Sequence, residues 1–296
     1  MFRESPSRGP GSPRVIGFYE PDTGSCQYIC IDEATGSAAL IDVVQEFDPH
    51  SAATRFDSAQ WALDWLKAEG LTLVQILDTH PHADHLMAAA WLREQTGAPM
   101  AIGEKVSEIA ALWREIYHLP DAFDPSSDFD RLLADGDTVA LGNLEAKVIL
   151  SPGHTLGSVS YAVGDAIFAH DTFMQPDVGT SRCDFPGGSA AMLYDTLVAL
   201  LDHPDDTRIF IGHDYGADGR SGPAWESTVG EQRRSNKHIG GGTAKADYVA
   251  VREGRDRTLP LPNRMLHALQ VNLRGGRLPP PEADGRSYFK IPANRF

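Results

Sequence analysis

The sequence is poor in cysteine and has no long apolar run. It contains three cysteines in 296 residues, Cys26, Cys30 and Cys183; the odd number and the spacing match neither a disulfide framework nor a CxxC zinc motif. Cys26 and Cys30 lie in a segment with the pattern of a β-strand, which favours ordinary strand residues over metal ligands. No stretch of about 18 consecutive apolar residues is present, so no transmembrane helix is predicted.

Basic residues are also scarce. The chain has 26 Lys and Arg against 41 Asp and Glu, a net charge of −15, and such an acidic surface repels nucleic acids and anionic membranes. Residues 1–13 are rich in Ser, Pro, Gly and Arg without the apolar core of a signal peptide, which predicts a disordered tail. These features predict a cytoplasmic protein with neither nucleic acid nor membrane as a partner.

Apolar residues make up 42% of the chain, enough to build a substantial core. Their periodicity predicts strands at residues 27–32, 38–43, 71–77, 99–102, 138–141, 145–150, 158–163, 166–169 and 208–211. It predicts helices at residues 57–68, 85–96, 190–201 and around 263–273. This alternation predicts an α/β fold in which helices cover β-sheets.

The composition changes near residue 240. Residues 240–242 are three consecutive glycines, residues 279–281 are three prolines, and the last ten residues include three aromatic side chains. We therefore predict a catalytic domain at residues 14–239 and a C-terminal extension at residues 240–296. The extension is expected to pack on the domain or on a neighbouring subunit, and we expect a homodimer or homotetramer.

A dense cluster of histidines follows the predicted strand 71–77. His80, His82, Asp84 and His85 fall within six residues. Several neutral imidazoles placed so closely need partners for their ring nitrogens, and they would repel one another if they were protonated. Because imidazole is the commonest metal ligand in proteins, this segment predicts a metal site.

Three further residues of the same kind follow other predicted strands. His154 comes after strand 145–150, Asp171 after strand 166–169 and His213 after strand 208–211. Any one of them alone could be a helix cap or a core residue. Ligands in α/β proteins gather at the carboxyl ends of strands, so we predict that these residues and the histidine cluster form one metal centre.

The complete series resembles the ligand series of the metallo-β-lactamase superfamily in order and kind. It consists of His80, His82, Asp84, His85, His154, Asp171 and His213. The resemblance covers residues 14 to 238. It implies an αββα metallo-β-lactamase sandwich, with two sheets face to face, helices outside and the metal site along one edge.

Two metal arrangements remain open, because both use the same series. In a dinuclear hydrolase, one ion is held by His80, His82 and His154, the other by Asp84, His85 and His213, with Asp171 bridging. In a mononuclear oxygenase, one Fe(II) is held by His80, His154 and Asp171. Three coordination positions then remain for substrate and O₂.

The sequence around the ligands resembles the persulfide dioxygenases. The similar segments are residues 78–85, 96–99, 151–158, 181–188, 212–215 and 225–233. The resemblance implies oxidation of glutathione persulfide with O₂ to sulfite and glutathione at one Fe(II) per chain. It implies iron ligation by His80, His154 and Asp171. The residues His82, Asp84, His85 and His213 would then orient the ligands and tune the site.

Glutathione carries two carboxylates, so an acidic protein needs local cations to bind it. Arg182, close in sequence to the metal residues, is the first candidate. Tyr215 could hydrogen-bond the peptide part, and Arg220 and Arg233 are further candidates. Cys183 is interpreted as structural. Any rhodanese-type sulfurtransferase partner would be a separate chain.

The sequence leaves two other functions to consider. One is a glyoxalase-II-like dinuclear thioester hydrolase, also linked to glutathione. Pro81 stands where hydrolases of that type tend to carry another histidine, and residues 240–296 do not resemble their glutathione-binding helical domain. The other is a non-catalytic metal-binding scaffold or sulfur-carrier partner, which the complete ligand series disfavours.

Overall fold

Two large β-sheets and one small sheet organise the chain, which a computed structural model describes from residue 1 to residue 296. The strands are β1 (Phe2–Ser5), β2 (Arg14–Glu20), β3 (Ser25–Asp32), β4 (Ser37–Ile41), β5 (Val44–Asp48), β6 (Ala53–Arg55), β7 (Thr72–Leu77), β8 (Leu86–Met87), β9 (Met100–Gly103), β10 (Arg131–Leu133), β11 (Thr138–Leu141), β12 (Leu144–Leu150), β13 (Val159–Val163), β14 (Ala166–His170), β15 (Arg208–Ile211) and β16 (Glu226–Thr228). The helices are α1 (Asp57–Ala68), α2 (Ala89–Thr96), α3 (Val106–Tyr117), α4 (Pro125–Asp128), α5 (Ala190–Leu200), α6 (Val229–Ser235), α7 (Lys245–Asp256) and α8 (Met265–Asn272), with a 3₁₀ turn at Gly240–Gly242.

The two large sheets divide the sequence between them. The first has the strand order β1-β2-β3-β4-β7-β9-β10, and the second has the order β11-β12-β13-β14-β15-β16. Strands β4, β7 and β9 run parallel in the first sheet, and β14 and β15 run parallel in the second. The small sheet has the order β6-β5-β8.

Strand β3 shows how the sequence divides its side chains between two cores. Cys26, Tyr28 and Cys30 point into the core that lies between the large sheets. Ile29 and Ile31 alternate with them and join the core on the other face of the first sheet. Both faces are buried because a strand turns successive side chains to opposite sides. Cys26 and Cys30 are therefore free core thiols, as the sequence predicts.

Helices cover the outer faces of the sheets. Leu66 of α1, Leu92 of α2, Trp113 of α3 and Leu269 of α8 share the outer core of the first sheet. Leu197 of α5 and Tyr248 of α7 belong to the core that contains the second sheet. The result is the predicted αββα sandwich.

The predicted disorder of residues 1–13 is wrong. Phe2–Ser5 forms an antiparallel edge strand on β2. The guanidinium of Arg208 is fully buried beneath this segment and donates to the Ser5 hydroxyl and to the Pro13 carbonyl, each at 2.9 Å. Because a buried guanidinium needs partners for its five N–H groups, the segment closes over it and is ordered.

The predicted helix 85–96 also begins later than expected. Leu86–Met87 forms strand β8, and helix α2 starts only at Ala89. Met87 pairs with Val44 of β5, which holds the chain extended where the apolar pattern alone favours a helix. Helices α3 and α7 were not predicted.

The C-terminal extension folds back on the rest of the chain. Helix α7 packs against α5, and α8 packs against β8. Whether the extension also contacts a neighbouring subunit stays a prediction. None of the helices combines the length and the apolar character that crossing a membrane requires.

Candidate metal centre

Parallel strands bring the predicted ligands to one edge of the sandwich. In the first sheet, Ile41 of β4 pairs with Leu77 of β7, so the segments that follow these two strands emerge side by side. In the second sheet, β14 and β15 run parallel and deliver Asp171 and His213 in the same way. The sheets meet at this edge, where Ser25 forms an isolated antiparallel bridge with His213.

His80, His154 and Asp171 form one compact group, called the first cluster below. One potential ligand atom from each residue lies within 4.8 Å of the other two. His154 Nε2 lies 3.5 Å from Asp171 Oδ2. All three side chains are buried, so the atoms converge on a point that is shielded from water.

Hydrogen bonds on the side facing away from the centre fix the ring orientations in the first cluster. His154 Nδ1 donates to the Arg182 carbonyl oxygen at 2.7 Å, which leaves Nε2 without a proton and free to ligate. His80 Nδ1 lies 3.0 Å from the Thr79 hydroxyl, while its Nε2 is buried without any hydrogen-bond partner. A buried ring nitrogen without a partner is costly, and a metal ion at this point would satisfy it.

The charges of the first cluster also suit a divalent cation. Burial, with His82 and His154 nearby, holds the pKa of His80 well below its usual value, so this imidazole is neutral. Burial likewise lowers the pKa of His154. Burial would raise the pKa of Asp171, but His213 and His154 outweigh it and keep the carboxylate ionised. Two neutral imidazoles and one carboxylate are a donor set that fits Fe(II) or Zn²⁺.

Asp84, His85 and His213 form a second cluster beside the first. His213 Nδ1 lies 2.6 Å from Asp171 Oδ1, and His213 Nε2 lies 2.6 Å from Asp84 Oδ2. Asp84 Oδ2 also accepts from His85 Nδ1 at 3.0 Å. The Ser25 hydroxyl closes the network at 3.0 Å from His85 Nδ1 and 3.1 Å from His213 Nε2.

Contact lengths distinguish the two clusters. Two ligands at about 2.1 Å from one ion are separated by about 3.0 Å when they are about 90° apart and by about 3.4 Å at the tetrahedral angle. The 3.5 Å between His154 and Asp171 fits such an arrangement, whereas the two 2.6 Å contacts of His213 are lengths of hydrogen bonds. Unpartnered nitrogens do not separate the clusters, because His85 Nε2 is also buried without a partner.

The ring of His213 lies between the carboxylates of Asp171 and Asp84. Burial would lower its pKa, but the charges of these two carboxylates outweigh that effect and raise the pKa well above its usual value in the metal-free protein. In the protonated ring both nitrogens carry protons and can donate to carboxylate oxygens. The two carboxylates thus favour the protonated ring when no metal ion is bound.

His82 lies behind the first cluster. Its Nε2 is 3.1 Å from Asp42 Oδ1, and Asp42 also accepts from the backbone N–H and the hydroxyl of Thr79, each at 2.8 Å. Asp42 adopts a left-handed backbone conformation, φ 53°, which is strained for a residue with a side chain. Asp42 thus ties the end of β4 to the start of the histidine loop.

A small, largely apolar cleft opens beside His154. Its other lining residues include Pro81, Ile109, Trp113, Phe185 and Leu269. Near its rim, the Arg182 guanidinium lies 5.1 Å above the Phe185 ring. It also makes two 2.7 Å contacts with Asp184 and donates to the Pro260 carbonyl. Its role in substrate binding stays a prediction.

The other predicted substrate residues differ in position. The exposed Tyr215 ring stacks on His213, with ring centroids 5.7 Å apart. Arg220 is held by Asp214 and Asp177, as Arg182 is held by Asp184, and its role in substrate binding also stays a prediction.

Arg233 does not lie at the site. Its guanidinium contacts Asp205, which precedes strand β15, whereas His213 follows that strand. The two therefore lie at opposite ends of β15. Arg233 was proposed as a further local cation for the carboxylates of glutathione, and its position at the far end of β15 argues against that role.

Sequence reasoning missed three residues of the centre. Asp42 follows the carboxyl end of β4, the same signal that identified the histidines, whereas Ser25 begins β3; neither residue type suggests a metal ligand here. His170 was missed as well; it is buried 5.2 Å from the His80 ring and has a left-handed φ of 42°. Its position directly before Asp171 was an available signal.

Comparison with known proteins defines the family. A profile described as the metallo-beta-lactamase superfamily matches residues 31–213. The chain belongs to this superfamily. The matched range contains every predicted ligand, while the C-terminal extension lies outside it.

Members of the superfamily with different names are similar to this chain. A "Beta-lactamase hydrolase-like protein" of Xylella fastidiosa is 52% identical over 96% of the chain, which spans 65% of that longer protein. "Glyoxylase B2" of Dictyostelium discoideum is 39% identical over 95% of the chain and 97% of its own length. The crystal structure of ETHE1 from Myxococcus xanthus has a TM-score of 0.70 at 29% identity, covering 94% of this chain and all of that one.

Proposed function

We propose that this protein is a persulfide dioxygenase, which oxidises glutathione persulfide with O₂ at a single non-haem Fe(II). The contrast between the clusters carries the proposal. The first cluster has the 3.5 Å spacing of ligands around one ion, whereas the second is closed by the 2.6 Å hydrogen bonds of His213. One ion held by two imidazoles and one carboxylate, with open positions, is typical of non-haem iron oxygenases.

His80, His154 and Asp171 would hold the iron. When bound, the iron supplies a redox centre with open positions for the persulfide sulfur and O₂. The Arg182 carbonyl and the Thr79 hydroxyl hold the two imidazole rings, so the ligands are oriented before the metal arrives.

The overall reaction balances with one water. Both atoms of O₂ are transferred to the terminal sulfur of the persulfide, which is oxidised while O₂ is reduced. Water then cleaves the sulfur–sulfur bond, and glutathione, sulfite and two protons leave. The protein supplies positioning and a shielded cavity rather than electrons.

The cleft beside His154 suits the middle of such a substrate. Its lining by Pro81, Trp113 and Phe185 favours the uncharged cysteinyl part of glutathione near the metal. The charged ends would then lie outside the cleft, where Arg182 beside Phe185 and Tyr215 beside His213 are the polar groups proposed to bind them.

Resemblance supports the same function. The segments around the metal residues resemble persulfide dioxygenases, and the fold is similar to ETHE1 over nearly the whole chain. This chain spans 65% of the Xylella relative. The similarity to that longer protein therefore does not establish an activity for this chain, and a sulfurtransferase partner is likewise only proposed.

A glyoxalase-II-like thioester hydrolase is the second candidate. The similarity to a protein named "Glyoxylase B2" favours it, and so does the presence of all seven ligands of a dinuclear centre. It requires the second cluster to open and to accept an ion in place of the proton on His213 Nε2.

One experiment separates the two functions. The protein is purified without oxygen, loaded with Fe(II) or with Zn²⁺, and supplied with glutathione persulfide or with S-lactoylglutathione. We expect O₂ uptake and sulfite formation from the persulfide with the iron protein alone. Hydrolysis of S-lactoylglutathione by a form with two Zn²⁺ per chain, without O₂ uptake by the iron form, would overturn the proposal.

A further inference from the structure

The loop that carries the histidine cluster has almost no backbone hydrogen bonds. Residues 80–85 lie between strands β7 and β8 and make no backbone–backbone hydrogen bond. A loop without such bonds takes its shape from side chains that reach its main chain. Only one side chain does so, and it belongs to the C-terminal extension.

That side chain is Asn272, the last residue of helix α8. Its amide nitrogen donates to the carbonyl oxygens of His82 at 2.7 Å and of His85 at 2.8 Å. Its amide oxygen accepts from the backbone N–H of Met87 at 2.8 Å. Asn272 is completely buried, so both of its donors and one acceptor position are used inside the protein.

Helix α8 is itself anchored firmly enough to act as a support. Met265, Leu269 and Leu273 are buried in the outer core of the first sheet. The chain after the helix runs closely against strand β8, where a Cβ at Gly276 would collide with the Met87 carbonyl oxygen. The amide of Asn272 therefore has little freedom to move with the loop.

We propose that Asn272 is a positioning residue, which sets the shape of the metal loop from the C-terminal extension. By holding the His82 and His85 carbonyls on one amide group, it fixes the two peptide planes that flank the segment from Ala83 to His85. These planes determine where the side chains of the loop point. Small displacements of ligands weaken metal sites strongly.

This role is independent of the reaction that the centre performs. It requires only that the loop residues take part in a metal site: with two ions His82 and His85 are ligands themselves, and with one ion they orient the ligands. The test therefore uses metal binding rather than turnover, so its failure would leave the proposed dioxygenase activity untouched.

The chain offers a matched control two residues away. Gln270 is on the same helix and equally buried. Its amide nitrogen donates to the carbonyls of Leu266 and Lys290, and its oxygen accepts from the Lys290 N–H. It thus makes three hydrogen bonds like Asn272, but none of them reaches the metal loop.

Asn272→Asp and Gln270→Glu make the same chemical change, which replaces a donating amide nitrogen with oxygen. Each metal-free variant is titrated with Co²⁺, and its visible spectrum and its urea unfolding are recorded. We expect Asn272→Asp to weaken Co²⁺ binding by about 10- to 100-fold and to alter the spectrum. Gln270→Glu should lower the unfolding free energy without changing the affinity or the spectrum.

Unchanged Co²⁺ affinity and spectrum in Asn272→Asp would overturn the proposal and leave Asn272 as a packing residue. Should Asn272→Asp fail to fold, Asn272→Ala replaces it, because Ala removes the amide without placing an oxygen against the two carbonyls. If neither variant folds while Gln270→Glu does, Asn272 determines the fold rather than the site, which also contradicts the proposal.

Discussion

The two clusters at the edge of the sandwich contain the same kinds of residue but differ in what their side chains contact. In the first, the ring nitrogens that face away from the centre are held by Arg182 and Thr79, and the potential ligand atoms remain available. In the second, His213 connects two carboxylates directly. The two clusters therefore differ in the short contacts of His213 and not in residue type.

The position of His213 also explains how one centre can hold so many acidic and basic groups. A cation between Asp84 and Asp171 offsets two buried negative charges that would otherwise repel each other. In a dinuclear enzyme that cation is a metal ion, whereas under the proposed single-iron arrangement it is the protonated ring of His213.

The largest effect is expected from the first cluster. His80→Ala leaves two protein ligands, so we expect iron to be lost and O₂ uptake to fall to background. Elemental analysis and an oxygen electrode measure both quantities. Arg233→Ala, at the far end of strand β15, serves as the control and should retain iron and activity. Iron retained at one per chain in His80→Ala would remove His80 from the ligand set.

Changes in the second cluster should have smaller effects. We expect His85→Ala and Ser25→Ala to retain one iron per chain and to lose activity by about 10- to 100-fold, because they disturb the groups that orient the ligands. Iron content and initial rates are measured together. A decrease from two ions to one in His85→Ala would show that the second cluster binds metal.

A substitution near the rim of the cleft should affect substrate binding and not metal binding. Arg182→Ala leaves the backbone carbonyl that holds His154, so iron content should not change. We expect KM for glutathione persulfide to rise by about tenfold, as for the loss of a charge-assisted contact, with a smaller change in kcat. Loss of iron instead would show that the Arg182 side chain supports the metal cluster.

The smallest effect concerns the proton on His213 in the metal-free protein. Because the pKa of His213 is raised, its stabilising contribution is complete below about pH 6.5 and declines as the pH rises. Buried histidines with lowered pKa, such as His80 and His154, act in the opposite sense, but only below about pH 6.5, where the unfolded chain takes up protons.

The unfolding free energy should therefore fall between about pH 7 and about pH 8.5, by at most about 1.4 kcal/mol per pH unit for this group. His213→Gln should show a shallower slope in urea unfolding over the same range. The difference between the two proteins removes the contributions of thiols and of other histidines, which both share. Equal slopes would mean that His213 is neutral in the metal-free protein.

Much of the site could be predicted from the sequence because its residues follow strands. The end of β7 and the end of β15 are visible as apolar runs, and His80 and His213 come directly after them. Parallel pairing then brings such residues together without further information. The fold class could be predicted for the same reason, because the strands alternate with helices.

Contacts with the site from distant parts of the chain could not be predicted in this way. Asn272 reaches carbonyls 187 and 190 residues away in the chain, and a backbone carbonyl such as that of Arg182 has no sequence signature. The ordered N-terminal strand was missed because its support, Arg208, lies about 200 residues further on. The amino-acid composition near a terminus gives no information about such long-range contacts.

The number and the position of metal ions test the central claim most directly. Crystals of the Fe(II)-loaded protein are measured at the iron absorption edge, and the anomalous difference map is examined at both clusters. We expect one peak, bound by His80, His154 and Asp171, with His213 hydrogen-bonded between its two carboxylates. A second peak of comparable height among Asp84, His85 and His213 would contradict the account.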